Sequence, residues 1–113
     1  MIVIKLFCQA GMSTSLLVHK MNQTAKERGI DCQIKAYPAS SLMTEVPSAD
    51  VVLLGPHLHY LLTDALRFGE ANKVPVAIIR MQDYGMVNGT AVLDFALDLK
   101  QSSFSVTHLK GKE

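Results

Sequence analysis

Cys8 stands where an apolar run, Ile2-Val3-Ile4 and Leu6-Phe7, meets the small, hydroxyl-rich stretch Gln9-Ala10-Gly11-Met12-Ser13-Thr14-Ser15. Leu16-Leu17-Val18 then opens an amphipathic segment. A buried strand, a tight turn and a helix, in that order, set the thiol beside backbone N–H groups at the positive end of a helix dipole. Such surroundings favour a thiolate and hold an anion next to it. The pattern predicts phosphate chemistry on sulfur, with Cys8 as nucleophile and Gln9, Ala10, Gly11, Met12, Ser13, Thr14 and Ser15 as a phosphate-binding loop. The loop N–H groups match the equatorial oxygens of a phosphoryl group while sulfur attacks in line. An inert cysteine at a strand end would need no such cradle. Ser13, Thr14 and Ser15 also suit ordinary helix capping, and capping and anion binding draw on the same N–H groups, so both readings stand. Met12, inside the loop, would give its rim an apolar surface for a docking partner.

The remaining chemistry-bearing residues carry less. Cys32 lies in an alternating stretch and reads as an inert core residue, with no C-x-x-C pairing to Cys8. His57-Leu58-His59 offers two imidazoles facing different ways and no third ligand, so no metal site is expected. Both read as surface histidines, His57 near the crevice. Asp83 reads as a cap or loop-stabilising residue, with a phosphatase-like general acid as the sharper alternative. Tyr84 borders the crevice or packs it. Met21, Met43, Met81 and Met86 read mainly as core filler. No cofactor is implied.

These residues need a scaffold, and 113 residues suffice for one domain with a real core. Eleven basic against ten acidic residues give a net charge of +1, which argues against a nucleic-acid or anionic-membrane surface. Apolar runs such as Val51–Leu54 are far too short to cross a bilayer, and the start lacks a signal-peptide pattern. The expected location is the cytoplasm, where a structural disulfide is disfavoured.

Apolar runs and helical patterns alternate along the chain. Residues 2–7, 31–37, 51–54 and 74–79 read as strands, Pro38 breaking the second and Pro75 sitting at the start of the fourth. Helical spacing marks 12–28, stopped at Gly29. Residues 39–45 offer at most a short helix. Another helix starts at Pro56, with Tyr60, Leu61, Ala65 and Phe68 on its apolar face and Gly69 at or near its end. A loop, 80–89, leads to a last helix with Val92, Leu93, Ala96, Leu97 and Leu99 inward. The expected fold is a single three-layer α/β domain, a four-stranded parallel sheet in the order 2-1-3-4 with helices on both faces. It covers 1–101, and a polar, frayed tail covers 102–113. Ligands of such sheets bind at the carboxyl ends of the strands at the switch point, here between strands one and three. That gathers Cys8, Gly55-Pro56-His57 and the 80–85 segment around one crevice.

The stretch Leu6-Phe7-Cys8-Gln9-Ala10-Gly11-Met12-Ser13-Thr14-Ser15-Leu16-Leu17-Val18 closely resembles the enzyme IIB component of the bacterial sugar phosphotransferase system, in its lactose/cellobiose/diacetylchitobiose branch. Ala49-Asp50-Val51-Val52-Leu53-Leu54-Gly55-Pro56 with Tyr60, and Tyr84-Gly85, resemble later signatures of that family, so the likeness covers about residues 2–100. It implies a phosphotransferase working through a phosphocysteine at Cys8. The phosphoryl group would come from a histidine of the IIA component and pass to a β-disaccharide of the cellobiose, chitobiose or lactose type, carried by the membrane-embedded IIC component. Gln9 stands where the family often has a small residue, and His57 and His59 where histidine is not the rule. The cysteine loop also resembles that of low-molecular-weight tyrosine phosphatases, which carry an arginine where this chain has Thr14. A small cysteine-dependent phosphatase is therefore the alternative, and the missing guanidinium fork counts against it. A thiol-based redox or binding module is the non-enzymatic reading. It needs a resolving cysteine, and Cys32 would have to lie within a strand spacing or two of Cys8.

Overall fold

The computed structural model describes residues 1–9 and 12–101, apart from the side chains of Met12 and Ser13. The tail 102–113 and the loop residues Ala10 and Gly11 lie outside the described residues. Strand β1 (Ile2–Cys8) is followed by helix α1 (Met12–Glu27) and β2 (Cys32–Pro38). Between α1 and β2 the chain turns at Gly29, whose φ of +69° is one that side-chain-bearing residues rarely adopt. Residues 39–48 form two 3₁₀ turns around the single-turn helix α2 (Leu42–Glu45), one of them containing Pro47, and lead to β3 (Val51–Leu54). Two 3₁₀ turns over Pro56–Leu61, kinked at Leu58, open into α3 (Leu62–Asn72). Then come β4 (Val76–Ile78), α4 (Met81–Gly85) and α5 (Gly89–Gln101).

The four strands are parallel and lie in the order β2-β1-β3-β4. Register runs Ile2↔Cys32 to Cys8↔Pro38 across β1 and β2, and Ile4↔Val51 to Phe7↔Leu54 across β1 and β3. Strand alternation divides the core into two layers. Ile4, Leu6, Val51 and Leu53 pack against Leu17 and Met21 of α1 and Val92, Leu93 and Ala96 of α5. Phe7, Val52, Leu54 and Val76 face the other way, against Leu42, Val46, Leu58 and Ala65. Fully burying a leucine, isoleucine or phenylalanine contributes roughly 1.5–3 kcal/mol, so both layers are needed to hold the sheet. The chain leaves β1 over one face and β3 over the other. The carboxyl ends of those two strands, where Cys8 and Gly55 sit, therefore part around an open edge.

Three local expectations change, and one buried charge is added. Gly69 lies inside α3, where an added Cβ would fall 2.5 Å from the Val74 carbonyl oxygen and 2.6 Å from Val76 Cγ2. It permits α3 to press on β4, and the helix ends instead at Lys73 in the left-handed conformation. The 80–89 segment is not an open loop but contains α4. Met43, Met81 and Met86 are exposed, because helices as short as α2 and α4 bury only part of their circumference, and Met21 alone of the expected methionines is shown in the core. Lys5, in the middle of β1, is only 4% exposed. Its ammonium donates to Glu45 Oε1 at 2.8 Å, to the Glu45 carbonyl at 2.9 Å and to Ser48 Oγ at 2.5 Å. All three of its protons are thus placed, and the pair pins the 39–48 segment to the sheet.

Candidate functional site

Cys8 is the last residue of β1 and keeps 9% of its surface open, so it is neither free on the outside nor sealed in the core. Its Sγ lies 4.0 Å from the Tyr37 carbonyl oxygen on β2. On the other side, the Gly55 N–H donates to the Phe7 carbonyl at 2.9 Å. The position of a Cβ on Gly55 would be 3.9 Å from Cys8 Cβ and 3.8 Å from Tyr84 Cε1. The ends of β1 and β3 and the ring of α4's tyrosine therefore meet at one point. The floor beneath is aromatic: Phe7 stacks on Tyr37 with centroids 5.7 Å apart, and Lys5 Nζ sits 5.2 Å from the Tyr37 ring centroid.

The loop after Cys8 runs into the 16-residue helix α1 at Met12, so the positive end of that helix follows the cysteine directly in the chain. Thr14, in its first turn, is 1% exposed, and its hydroxyl lies 2.7 Å from the Tyr84 hydroxyl, seventy residues on. Ser15 is exposed. Ala10 and Gly11 lie outside the described residues, as do the side chains of Met12 and Ser13. Gln9 is exposed, and its Nε2 donates to Tyr60 Oη at 3.4 Å.

Tyr60 was expected on the buried face of the helix after Pro56 and is instead 60% exposed. The 3₁₀ turns with their kink at Leu58 advance the chain at a different angle from an α-helix, which turns Tyr60 outward, while Leu61, Ala65 and Phe68 beyond it stay on the core side. The result carries Tyr60 to the cysteine loop. His57 meets the Tyr84 ring edge-on at 6.1 Å, while His59 meets Tyr60 edge-on at 6.2 Å. The two imidazoles thus serve different rings, and among the described residues no cluster of three metal-ligating side chains exists.

Asp83 is engaged rather than free. Its carboxylate accepts from Arg80 Nε at 3.0 Å and Arg80 Nη2 at 3.2 Å, and this contact raises the arginine's pKa. The fork fastens the start of α4. At the other end Val87, with φ +51°, accepts the left-handed turn that lets the Asn88 N–H reach the Asp83 carbonyl at 2.9 Å. Tyr84 is therefore carried on a short helix anchored at both ends.

Cys32 is at the wrong end of the sheet for a redox partner. It pairs with Ile2, while Cys8 pairs with Pro38. Six strand steps of about 3.3 Å separate those levels, roughly 20 Å, whereas a disulfide needs Cα atoms within about 7 Å. The closeness that a redox module would require, within a strand spacing or two, is therefore not met. Cys32 is half-buried, and burial, then the neighbouring Asp31, push its thiol pKa up, against a smaller opposing pull from the amino terminus. A raised pKa lowers the thiolate share of Cys32 at neutral pH.

Sequence reading missed Lys5, hidden in an apolar run, and the pairings Thr14–Tyr84 and Gln9–Tyr60. Long-range contacts leave no mark in local spacing. The run of Lys5 between Ile4 and Leu6 was the one available signal, since a charge inside a strand buried on both faces must find a partner.

The chain matches the family model described as the lactose/cellobiose-specific IIB subunit of the PTS system over residues 3–95. It is 43% identical over 102 residues to the galactose-specific EIIB component of Lactococcus lactis subsp. cremoris MG1363, covering 86% of this chain and 94% of that protein. To the cellobiose-specific EIIB component of Lactococcus lactis subsp. lactis IL1403 it is 42% identical, with the same coverage. To the oligo-beta-mannoside-specific EIIB component of Bacillus subtilis 168 it is 35% identical, covering 85% and 93%. The solution structure of the cellobiose-specific phosphotransferase IIB component from Borrelia burgdorferi superposes with a TM-score of 0.76 at 34% identity, covering 90% of this chain and 94% of that one. The lactose-specific IIB domain from Streptococcus pneumoniae reaches a TM-score of 0.78 at 13% identity over 86% and 95% of the two chains, and so shares the fold.

Proposed function

We propose that this chain, which belongs to the lactose/cellobiose-specific IIB family of the sugar phosphotransferase system, carries a phosphoryl group on Cys8 between a IIA component and a sugar held by the membrane-embedded IIC component. In the first step the Cys8 thiolate attacks the phosphorus of a IIA phosphohistidine. The P–S bond forms as the P–N bond breaks, and imidazole leaves. In the second step a sugar hydroxyl attacks the same phosphorus. The P–O bond forms, the P–S bond breaks, the thiolate is regenerated and the hydroxyl proton passes to solvent or a base. Two of the named relatives are specific for β-linked sugars, cellobiose and oligo-β-mannoside, which supports such a sugar as the cargo, while the third is specific for the monosaccharide galactose. Both exchanges would take place on the cytoplasmic side. No helix among the described residues is long and apolar enough to cross a membrane, in keeping with a component that meets IIC from outside the bilayer.

The observation that carries this reading is Cys8 at the carboxyl end of β1, directly before the N-terminus of α1, with Thr14 where a cysteine phosphatase places arginine. A site without the guanidinium fork is less suited to hydrolysis than to holding the group for transfer. Asp83, the one candidate general acid on α4, is forked onto Arg80.

The test compares three proteins incubated with phosphorylated IIA. Wild type should take up acid- and iodine-sensitive phosphate. Cys8→Ser should take up none, because a neutral hydroxyl is a far poorer nucleophile than a thiolate. Cys32→Ser should accept nearly as much as wild type. If Cys32→Ser were the inactive one, the site would be misplaced.

A further inference from the structure

We propose that Tyr84 is a positioning residue for the phosphoryl group on Cys8, acting through Thr14 as a relay of two hydroxyls; the inference rests on the phosphocysteine reading above. Thr14 is all but completely buried in the first turn of α1, and its hydroxyl sits 2.7 Å from that of Tyr84. Each hydroxyl has one proton and can accept as well. A phenol is the stronger donor, so the Tyr84 O–H donates to Thr14 Oγ1. The threonine keeps its own proton for an acceptor on the loop side. Accepting one hydrogen bond polarises a hydroxyl and makes it the better donor of the next. A buried threonine, otherwise a weak substitute for a cation, becomes a stronger donor toward a phosphoryl group carried on Cys8.

Geometry places the tyrosine for this task. Its ring edge lies beside Gly55 at the point where Cys8 Cβ also approaches, and His57 meets the ring edge-on. The helix that carries it is fixed by the Arg80–Asp83 fork and by the turn at Val87. The hydroxyl therefore has little freedom to leave Thr14. In effect α4 reaches across the switch point and stiffens the far end of the cysteine loop from outside it.

A double-mutant cycle separates this role from simple packing. Tyr84→Phe removes only the hydroxyl and keeps the ring against Gly55 and His57. With phosphorylated IIA as donor, the equilibrium constant for phosphate on Cys8 should fall about twofold, because accepting one hydrogen bond strengthens the next by only about 10–30%. The ³¹P shift of the remaining phosphocysteine should move. Thr14→Val removes the terminal donor and should lower that constant further, about tenfold, the order of one hydrogen bond to a charged group. The double variant should be no worse than Thr14→Val, and Thr14→Ser, which keeps the hydroxyl, should retain more than Thr14→Val. A Tyr84→Phe protein with wild-type occupancy and an unmoved ³¹P shift would overturn the relay. So would losses from Tyr84→Phe and Thr14→Val that multiply. Were Tyr84→Phe to unfold, Thr14→Ser and Thr14→Val decide, and equal behaviour of the two contradicts the relay. A wild type that takes up no phosphate would instead overturn the phosphocysteine function itself.

Discussion

At the scale of single residues the site depends on side chains whose partners lie far away in sequence. Lys5 is the clearest case. A buried ammonium is costly unless every proton is accepted, and here Glu45 and Ser48 accept all three. Lys5→Ala should lower unfolding stability in urea by about 2–3 kcal/mol, at the lower end for a broken buried pair because Glu45 keeps some contact with water. Lys5→Met should cost clearly less, since the stem still packs on Tyr37. Equal losses would mean that the charge pairing alone, and not packing of the stem, holds the segment. This residue also shows where sequence reading stops. The place of Cys8 between the end of a strand and the start of a helix was legible because the apolar run, the small residues and the helical spacing are adjacent in the chain. Lys5, Tyr60 and the Thr14–Tyr84 pair depend on which elements touch, and spacing within one element does not encode that.

At the scale of elements, two backbone positions carry opposite expectations. Gly69 lets α3 lie against β4, and a methyl there would meet the Val74 carbonyl and Val76. Alanine normally gains up to about 1 kcal/mol over glycine inside a helix. Overpacking costs roughly 1–3 kcal/mol and should win, so Gly69→Ala should melt lower than wild type. Val87 is the reverse. A β-branched side chain in the left-handed region costs about 1–2 kcal/mol, and Val87→Gly removes that strain while loosening the unfolded chain by about 0.4–1 kcal/mol. Val87 also packs partly against the core, and losing that contact costs about 1 kcal/mol, so the net should lie near zero, read as a nearly unchanged melting temperature; a loss of stability of about 2 kcal/mol or more would contradict the strain. The strand alternation, the crossovers and the helices α1 and α5 were readable from hydrophobic period and turn residues. The end of α3 was not, because glycine at 69 signals a stop in isolation and a close approach only once β4 is beside it. Nor was α4, a single short helix whose caps lie in backbone contacts.

At the scale of the whole molecule, Asp50 ties the sheet's amino end to the last helix. Partial burial pushes its carboxyl pKa up, but the Val3 N–H at 2.7 Å and Lys100 at 3.3 Å outweigh that, and the net shift is downward. A lowered folded-state pKa means stability that is complete above the unfolded carboxylate value of about 3.9 and is lost as pH falls from there through the folded value. Acid titration of unfolding stability should therefore show a decline below that point that is shallower in Asp50→Asn; identical profiles would remove Asp50 from the acid response. Above this frame stands the claim that the molecule stores a phosphoryl group on Cys8 rather than hydrolysing it. A single ³¹P NMR time course tests it: phosphorylated IIA is added, then removed, with no IIC or sugar present. The expected result is a phosphocysteine resonance that appears and persists. A spectrum with no such resonance, or one that decays promptly to inorganic phosphate, would contradict it.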